Sequence, residues 1–285
     1  MPLAPRTAPS HILKRNPASE EPPRFTIGVC KGTALLSENR ALLREWHPGE
    51  SAVDLARRVR ESDLLGKATA QRSADVVRRV FGPRFLRRDG EPAQYLQRLL
   101  SARGETGEWF SSICLLYAAR ADALVRAAVV ELLAGARAEG RLGLSVASVE
   151  SFLGEAVRLG KTEQPWSPEV VRKVARGVFK LLTEFGFLAS APRGRPREIL
   201  RYRVQPVAVA YLAFDLHFQG CTDASLPLHP DWQLWQMDVP HVRDALDALS
   251  SRGLWMFQAA GAVVRITWNY STMTEAINAL ARLDV

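Results

Sequence analysis

Residues 166–203 constrain the fold of this chain more than any other stretch. They open with the signals of a helix start, because Ser167 can cap a helix, Pro168 suits its first position and Glu169 favours the positive end of its dipole. Further along, Gly186 suits the left-handed residue that ends a helix. The pattern therefore predicts a helix that begins after the serine and ends at the glycine.

The predicted helix has two chemically different faces. At about 100° per residue its apolar side chains share one arc. These side chains are Val170, Val171, Val174, Val178, Leu181, Leu182 and Phe185. Nearly opposite them lies a row of cations, formed by Arg172, Lys173, Arg176 and Lys180. One face is suited to packing, and the other is suited to an anionic partner.

The residues after Gly186 predict a β-hairpin. Residues 187–188 lead into a turn at 192–196, and residues 200–204 then alternate apolar and basic side chains like a half-buried strand. A basic helix followed by a basic hairpin is typical of a winged helix, whose helix enters the major groove while the wing lies along phosphates. The wing cations that would bind phosphates are Arg193, Arg195, Arg201 and Arg203. A solvated amphipathic helix with an ordinary hairpin is the alternative.

A second unit lies closer to the N-terminus. Residues 51–61 and 70–81 read as two helices joined by a tight turn that contains Gly66, which matches a helix-turn-helix. We expect Pro83 to break the second helix. The cations that would contact a second stretch of DNA backbone are Lys67, Arg72 and Arg79. An αα-hairpin of a helical bundle with a solvated surface is the alternative here.

The remaining chain is predicted to be mostly helical. Residues 91–159 read as helix throughout, with a buried hub of two helices at 109–136, and residues 207–220 read as a helix that packs on the hub. A second helix–hairpin pattern begins at Asp238 and places two strands around Gly261, but its outward face carries carboxylates, which favours protein contact or packing over DNA.

The predicted fold class is mainly α, a helical bundle core with helix-turn-helix and winged-helix modules and small β-hairpin wings. The predicted divisions are a disordered tail at 1–24, an N-terminal helical domain with the helix-turn-helix at 25–104, the hub with the basic winged helix at 105–205, and an acidic winged-helix-like segment at 206–285.

The net charge of +8 is concentrated in two segments. Residues 51–104 hold 12 Lys/Arg against 6 Asp/Glu, and residues 161–205 hold 10 against 4, so each carries +6. Residues 206–285 hold 4 against 8 and carry −4. Because a charge spread only for solubility would be more even, this distribution favours a polyanionic partner at the two basic units.

Several classes of function find no support in the sequence. The three cysteines are far apart and form no metal-binding pattern or disulfide framework, so we expect no cofactor and no metal. No catalytic motif occurs, which predicts a protein that is not an enzyme. Without a secretory signal or an apolar run of about 18 residues, the chain is expected to be cytoplasmic and not bound to membranes.

One motif resembles a phosphate-binding loop. Gly154 is followed, after five residues, by Gly160, Lys161 and Thr162. The true loop has four intervening residues and follows a β-strand, whereas this segment follows a predicted helix. The sequence therefore predicts that these residues do not form such a loop.

Several short motifs, in their order and spacing, resemble the BrxA family of bacteriophage-exclusion (BREX) systems over roughly residues 25–205. They lie at residues 32–36 with Glu38, at 64–69, at 84–86, at 166–167 and at 184–188. The resemblance implies a mainly helical protein that binds duplex DNA without catalysis, encoded beside an adenine methyltransferase, an ATPase and a phosphatase-like protein. Asp63 departs from the family's Asn, and the C-terminal segment is longer than in compact members.

Together these features predict a non-enzymatic double-stranded DNA-binding component of a phage-defence system. No Asn/Gln cluster suited to adenine edges accompanies the cations, so we expect weak sequence preference. Other BREX proteins, namely the methyltransferase, the ATPase and the phosphatase-like protein, are possible partners. A protein–protein adaptor of the defence complex and a structured-RNA binder remain as alternatives.

Overall fold

The computed structural model describes residues 23–104, 107–192, 194–261 and 263–283. It is mainly helical with two small antiparallel sheets, as predicted. Buried apolar side chains from Phe25 to Leu283 form one hydrophobic cluster. The division of the chain into domains stays a prediction. The predicted tail falls, except for residues 23–24, outside the described residues. Among the described helices, none combines the length and apolar character that crossing a bilayer requires.

Short helices build the N-terminal unit. They are α1 (Leu36–Glu45), α2 (Ala52–Ser62), α3 (Ala70–Val76) and α4 (Gly82–Phe85), with a π-helical segment (Val77–Phe81) between the last two. The helices α2 and α3 pack on each other, and the side chains of Ser51 and Thr69 cap them. Gly66 adopts a left-handed conformation in the turn (φ 52°). The predicted pair of helices with its glycine-containing turn is confirmed.

Pro83 does not break this helix, so that prediction was wrong. The helical path continues through Pro83 to Phe85. Just before the proline, the Gly82 N–H bonds to the carbonyl of Val77, five residues earlier, which is the wider π spacing. A proline ring crowds the preceding turn and lacks an N–H, and the widened turn accommodates both defects inside a continuous helix.

The hub is buried and has two helical stretches, as predicted. After α5 (Glu91–Arg103) come α6 (Glu108–Ala121) and then a second stretch. That stretch consists of α7 (Ala123–Ala127), a π-helical segment (Ala128–Leu133) and α8 (Ala134–Ala138). Nearly every residue of α6 is buried, because its apolar side chains surround the helix instead of forming one stripe.

The basic helix–hairpin follows the hub. A short strand, β1 (Gly143–Leu144), comes first, so the expectation of unbroken helix over residues 91–159 was wrong there. It precedes α9 (Val146–Arg158) and α10 (Pro168–Glu184), which pack on each other. The next strand, β2 (Arg197–Glu198), pairs antiparallel with β1, while a bridge joins its continuation to Leu188. We call β1, α9, α10 and residues 187–204 the basic unit.

The second wing strand lies earlier in the chain than predicted. Backbone pairing extends to Leu200, whose N–H donates to the Phe187 carbonyl at 2.8 Å, whereas residues 201–204 form no regular ladder. The Leu200 carbonyl accepts a hydrogen bond from Arg137 at 2.6 Å. The ring of Tyr202 stacks on Phe187 with the centroids 4.6 Å apart. At residues 201–204, the alternation of apolar and basic side chains reflects burial against these partners and not strand pairing.

The C-terminal region contains the second helix–hairpin. Its helices are α11 (Pro206–Phe218), α12 (Val239–Ser250) and α13 (Met273–Ala281), and its strands are β3 (Trp255–Ala260) and β4 (Val263–Trp268). As predicted, α11 packs on the hub, where the hydroxyls of Tyr117 and Tyr211 lie 2.6 Å apart. The two strands flank Gly261, also as predicted. The helix α13, which packs on α5, was not predicted from the sequence. We call α12, β3 and β4 the C-terminal unit.

A buried chain of charges ties the C-terminal region to the hub. Asp215 on α11 accepts hydrogen bonds from Arg88 (3.0 Å) and Arg120 (2.6 Å). Asp231 accepts from Arg120 (2.8 Å) and from Arg126 (2.7 Å). Both carboxylates are less than 5% exposed. Because buried ions require partners, these contacts fix the relative position of the elements that carry them.

Candidate nucleic-acid interface

The helix α10 presents the predicted row of cations to solvent. The side chain of Ser167 accepts a hydrogen bond from the Val170 N–H and caps the helix, and Gly186 lies in the left-handed region (φ 81°). The apolar arc is buried or half-buried in the core, as predicted. The exposed cations, which we call the α10 face, are Arg172, Lys173, Arg176 and Lys180.

Two of these cations have carboxylate partners, and both pairs are solvent-exposed. Arg172 lies 3.0 Å from Glu169, and Lys180 lies 3.5 Å from Glu184. Exposed pairs of this kind contribute only about 0–1 kcal/mol, so a phosphate can replace the carboxylate at little cost. Within the described part of the chain, Lys173 and Arg176 take part in no ion pair.

The segment before α1 lies along one flank of α10. A Cβ added at Gly177 would come within 3.3 Å of the Val29 side chain, so this glycine allows the close approach. Lys173 lies near the Cys30 thiol; burial raises the pKa of that thiol, and the charges of Lys173 and Lys31 oppose the increase. The α10 face therefore has a protein wall on this side and extends onto Lys31.

The same flank connects the α10 face to the helix-turn-helix. Lys31 lies 3.6 Å from Asp75 on α3, and Asp75 lies 3.4 Å from Arg79. Arg78, which the sequence analysis did not single out, is exposed beside Arg79, while Arg72 is half-buried at the start of α3. The structure thus brings Arg79 to the surface that continues from α10.

Lys67 has a different environment from the one expected. Its ammonium group contacts the carboxylate of Glu38, and both side chains are largely shielded from solvent. Burial acts to raise the pKa of Glu38, but the hydrogen bonds from Lys67 and Ser37 outweigh it, and the pKa is lowered. A phosphate would have to compete with this shielded pair, and the role of Lys67 in DNA binding stays a prediction.

The wing cations do not all gather at one place. Arg193 lies outside the described residues, and Arg195 is exposed in the turn after it. Arg203 is exposed beyond β2, whereas Arg201 lines a cavity of about 510 Å³ together with Arg137. The C-terminal residues of that cavity include Gln236 and His241, so Arg201 points toward the C-terminal unit.

Arg197 fastens the wing to α10, a role that the sequence did not reveal. Its guanidinium lies over the ring of Phe179, 4.9 Å from the centroid. It also donates a hydrogen bond to the Thr183 hydroxyl at 2.6 Å. In the sequence it is one of several arginines near the turn, and only the position of α10 in space distinguishes it.

Three of the short motifs meet in one polar junction. The Ala34 N–H donates to Glu184 (2.9 Å), and the Ala34 carbonyl accepts from Asn39 (3.0 Å) and from Arg84 (3.1 Å). Arg84 also donates to the Thr33 carbonyl at 2.8 Å. Burial lowers the pKa of Arg84 to about 10. The junction joins α10 to the N-terminal unit, so the three motifs have a structural role.

The described part of the chain has one fully buried thiol and no cluster of metal-binding side chains. Among its residues, no three His, Cys, Asp or Glu side chains come together in a way that could hold a metal ion. Cys114 is fully buried in the hub, and burial raises its pKa to about 12, which keeps the thiol protonated at neutral pH.

Comparison with known proteins gives a family for this chain. The model of the BrxA family matches residues 23–215, which include the polar junction, the helix-turn-helix and the basic unit. The match ends within α11, before the C-terminal unit. No curated protein matches the sequence. Since the matched range exceeds half of the 285 residues, the chain belongs to the BrxA family, which points to a role in BREX phage defence.

Proposed function

We propose that this protein is a non-enzymatic component of a BREX system that binds double-stranded DNA through the α10 face. The observation that carries the proposal is the combination of Lys173 and Arg176, which lack carboxylate partners in the described chain, with Arg172 and Lys180, whose pairs are exposed and weak. Such a row can neutralise phosphates without first losing a stable intramolecular partner.

The architecture around α10 supports this proposal. Helix, strand, two helices and two further extended segments follow one another in the order of a winged helix. In that arrangement α10 would approach the major groove and the exposed Arg195 would approach the backbone. Because Lys31 and Arg79 continue the surface, the helix-turn-helix would add phosphate contacts on the same side.

Sequence discrimination is proposed to be weak. Direct readout of adenine depends on Asn or Gln amides that reach base edges in fixed geometry. The helix α10 contains no Asn or Gln, so we assign its exposed cations to phosphate contacts. Phosphate contacts position a protein on a duplex but carry no sequence information.

The test is a binding assay with a short fluorescent duplex. We compare the wild type, Arg172→Glu/Arg176→Glu, and the control Arg98→Glu/Arg265→Glu, which changes the net charge equally at exposed positions on α5 and β4. Losing two charge-assisted contacts should weaken binding about 100-fold in the first variant. The control should bind nearly like the wild type. Equal affinity of all three proteins would contradict the proposed interface.

The adaptor hypothesis has one observation in its favour. On the β3–β4 hairpin, Met256 and Val263 are 56% and 69% exposed. A partner protein of the defence complex could cover them.

The remaining alternative is a protein that binds structured RNA. Structured RNA is therefore added as a competitor in the duplex assay. A protein that prefers RNA would release the labelled duplex at a lower concentration of RNA than of unlabelled duplex.

A further inference from the structure

A second basic region lies away from the α10 face. It is a cavity of about 850 Å³ between the start of the described chain, the hub and the turn after α9. Its volume falls within the range of about 300–1,000 Å³ that is typical of small-molecule sites. No residue of α10 or of the wing lines it, so it is separate from the proposed DNA interface.

Cations from five positions in the chain converge on this cavity. They are Arg24, Arg87, Arg120, Arg126 and Lys161. Among the described residues of the lining, Glu131 is the one carboxylate, and it lies 3.0 Å from Lys161. Arg120 and Arg126 pair with carboxylates behind the lining, whereas Arg87 and Lys161 are exposed to solvent, and concave walls of low dielectric strengthen the field of such cations.

Two of the guanidinium groups are held in place from behind. Asp231 lies 2.8 Å from Arg120 and 2.7 Å from Arg126, so both side chains are fixed before any ligand arrives. An arginine has five N–H donors, and these contacts use only some of them. Fixed donors lower the entropy cost of binding an anion.

The carboxylates behind the lining match the arginines that they contact. Asp215, Asp231 and Glu91 contact Arg88, Arg120 and Arg126, with Glu91 3.5 Å from Arg88. Next to the cavity, a smaller one of about 340 Å³ shares Arg87 and Arg120 and is also lined by the buried Arg84. Among the described residues, Arg84 and Arg87 take part in no ion pair, so they supply the excess of positive charge at the two cavities.

The lining also contains apolar groups, which lie between the cations. Phe25 follows Arg24, and backbone hydrogen bonds join it to residues 161 and 163, at 2.7 and 3.1 Å. Leu159 is 54% exposed at the rim, and small side chains from α7 complete the surface. Because Phe25 is 5% exposed, its ring face is covered, and the basic side chains are what the cavity offers to a ligand.

We infer that this cavity binds a small phosphate-bearing ligand, with the phosphates on the arginines and Lys161. Gly154 lies inside α9, so residues 154–162 do not form a phosphate-binding loop. Gly160 and Lys161 contribute instead as part of the turn after α9. A duplex about 20 Å wide is too large to enter, which favours a small free phosphate compound over duplex DNA.

Calorimetric titration of the full-length protein with ATP, inorganic pyrophosphate and adenosine tests this inference. The variant Arg87→Gln/Lys161→Gln removes two solvent-accessible cations of the lining, and Arg98→Gln/Arg158→Gln removes two exposed cations outside it. We expect ATP and pyrophosphate to bind the wild type and the control equally. The cavity variant should bind at least about 10-fold more weakly, and adenosine should bind least.

Three results would overturn the inference. One is the absence of ATP and pyrophosphate binding to the wild type at millimolar concentration. Another is equal affinity of the wild type and the cavity variant. The third is that a duplex with a 5′-phosphate displaces labelled ATP equally well from the wild type and from the cavity variant. ATP would then be bound at the DNA interface and not in the cavity. Arg172→Glu/Arg176→Glu should bind ATP normally, so failure of the DNA proposal and failure of this inference are distinguishable.

Discussion

The two helix–hairpin units follow the same local pattern and differ in what they expose. In the basic unit, α10 has a capping Ser167, an early proline and the left-handed Gly186 at its end; in the C-terminal unit, α12 has the capping Asp238, an early proline and the left-handed Gly253. The outward side of α10 carries cations, whereas that of α12 carries carboxylates. Capping signals therefore predict the architecture, and the exposed charges separate the functions.

The arginines of the two units illustrate the same difference. Arg243 on α12 donates to the Gly261 carbonyl at 2.9 Å, so its charge serves the hairpin turn. Arg197 has the corresponding task in the basic unit, where it fastens the wing. Each unit thus uses one arginine for its own structure, but α10 has four further cations that face solvent, whereas α12 has none.

The C-terminal unit is less acidic than its sequence indicates. Part of the −4 of residues 206–285 comes from Asp215 and Asp231, which are buried against arginines of the hub and the preceding turn. From the capping Asp238 to the end of β4, residues 238–268 carry three of each sign, namely Arg243, Arg252 and Arg265 against Asp238, Asp244 and Asp247. Neutrality, with some exposed apolar side chains, distinguishes this unit from the basic one.

The largest expected effect concerns the attachment of the C-terminal unit. Phe214 on α11 is fully buried, and its ring lies 5.2 Å from that of Trp255 and 5.4 Å from that of Trp268. Phe214→Ala should lower the free energy of unfolding by about 3–5 kcal/mol, measured by urea denaturation. Phe257→Ala, at a half-buried position, should cost less. A loss below about 1 kcal/mol at Phe214 would show that this aromatic cluster does not hold the unit.

A comparable effect is expected from the buried charges. Burial acts to raise the pKa of Asp231, but Arg120 and Arg126 outweigh it and lower the pKa. Because the folded-state pKa lies below the unfolded value of about 4, this carboxylate stabilises the fold above that pH and loses its contribution as the pH falls through the folded-state value.

Asp231→Asn tests this contribution directly. It should lower the free energy of unfolding by about 3 kcal/mol at neutral pH, because Arg120 and Arg126 lose their charged partner. Unfolding curves of both proteins should converge in acid, where the wild-type carboxylate is protonated. If the difference between them does not shrink with falling pH, the charge of Asp231 is not what stabilises the protein.

The polar junction predicts a smaller effect at the basic unit. Glu184→Ala removes the acceptor of the Ala34 N–H and should cost about 1 kcal/mol of stability. The matched control is Glu169→Ala, which removes an exposed partner of Arg172 on the same helix and should change stability by less than about 0.5 kcal/mol. Thermal unfolding measures both, and equal losses would mean that the junction contributes nothing specific.

Much of this arrangement could be predicted from the sequence. Caps and apolar arcs gave the correct ends of α10 and α12, because helix termini depend on local hydrogen bonds. The position of β2, the path through Pro83 and the partner of Lys67 could not be predicted in this way. Each depends on a residue distant in the sequence or on a change of helical spacing. The same holds for the basic cavity, whose cations come from separate segments.

The smallest expected effect tests whether the C-terminal unit also faces DNA. Asp244→Lys/Asp247→Lys gives α12 exposed cations in place of carboxylates. Exposed substitutions of this kind should leave stability within about 0.5 kcal/mol. If only the basic unit contacts DNA, affinity for a duplex should change less than about threefold, since charges beyond a Debye length of about 8–10 Å are screened. A tenfold gain in affinity would place α12 beside the DNA and break the distinction between the units.

The most direct test of the account is the salt dependence of duplex binding by the wild type and by Arg172→Glu/Arg176→Glu. Each phosphate contact contributes about 0.9 to the slope of log K against log salt concentration. Loss of two contacts should therefore make the variant's slope shallower by about 2, while Arg98→Glu/Arg265→Glu keeps the wild-type slope. Parallel lines for the wild type and the α10 variant would contradict the claim that α10 holds DNA phosphates.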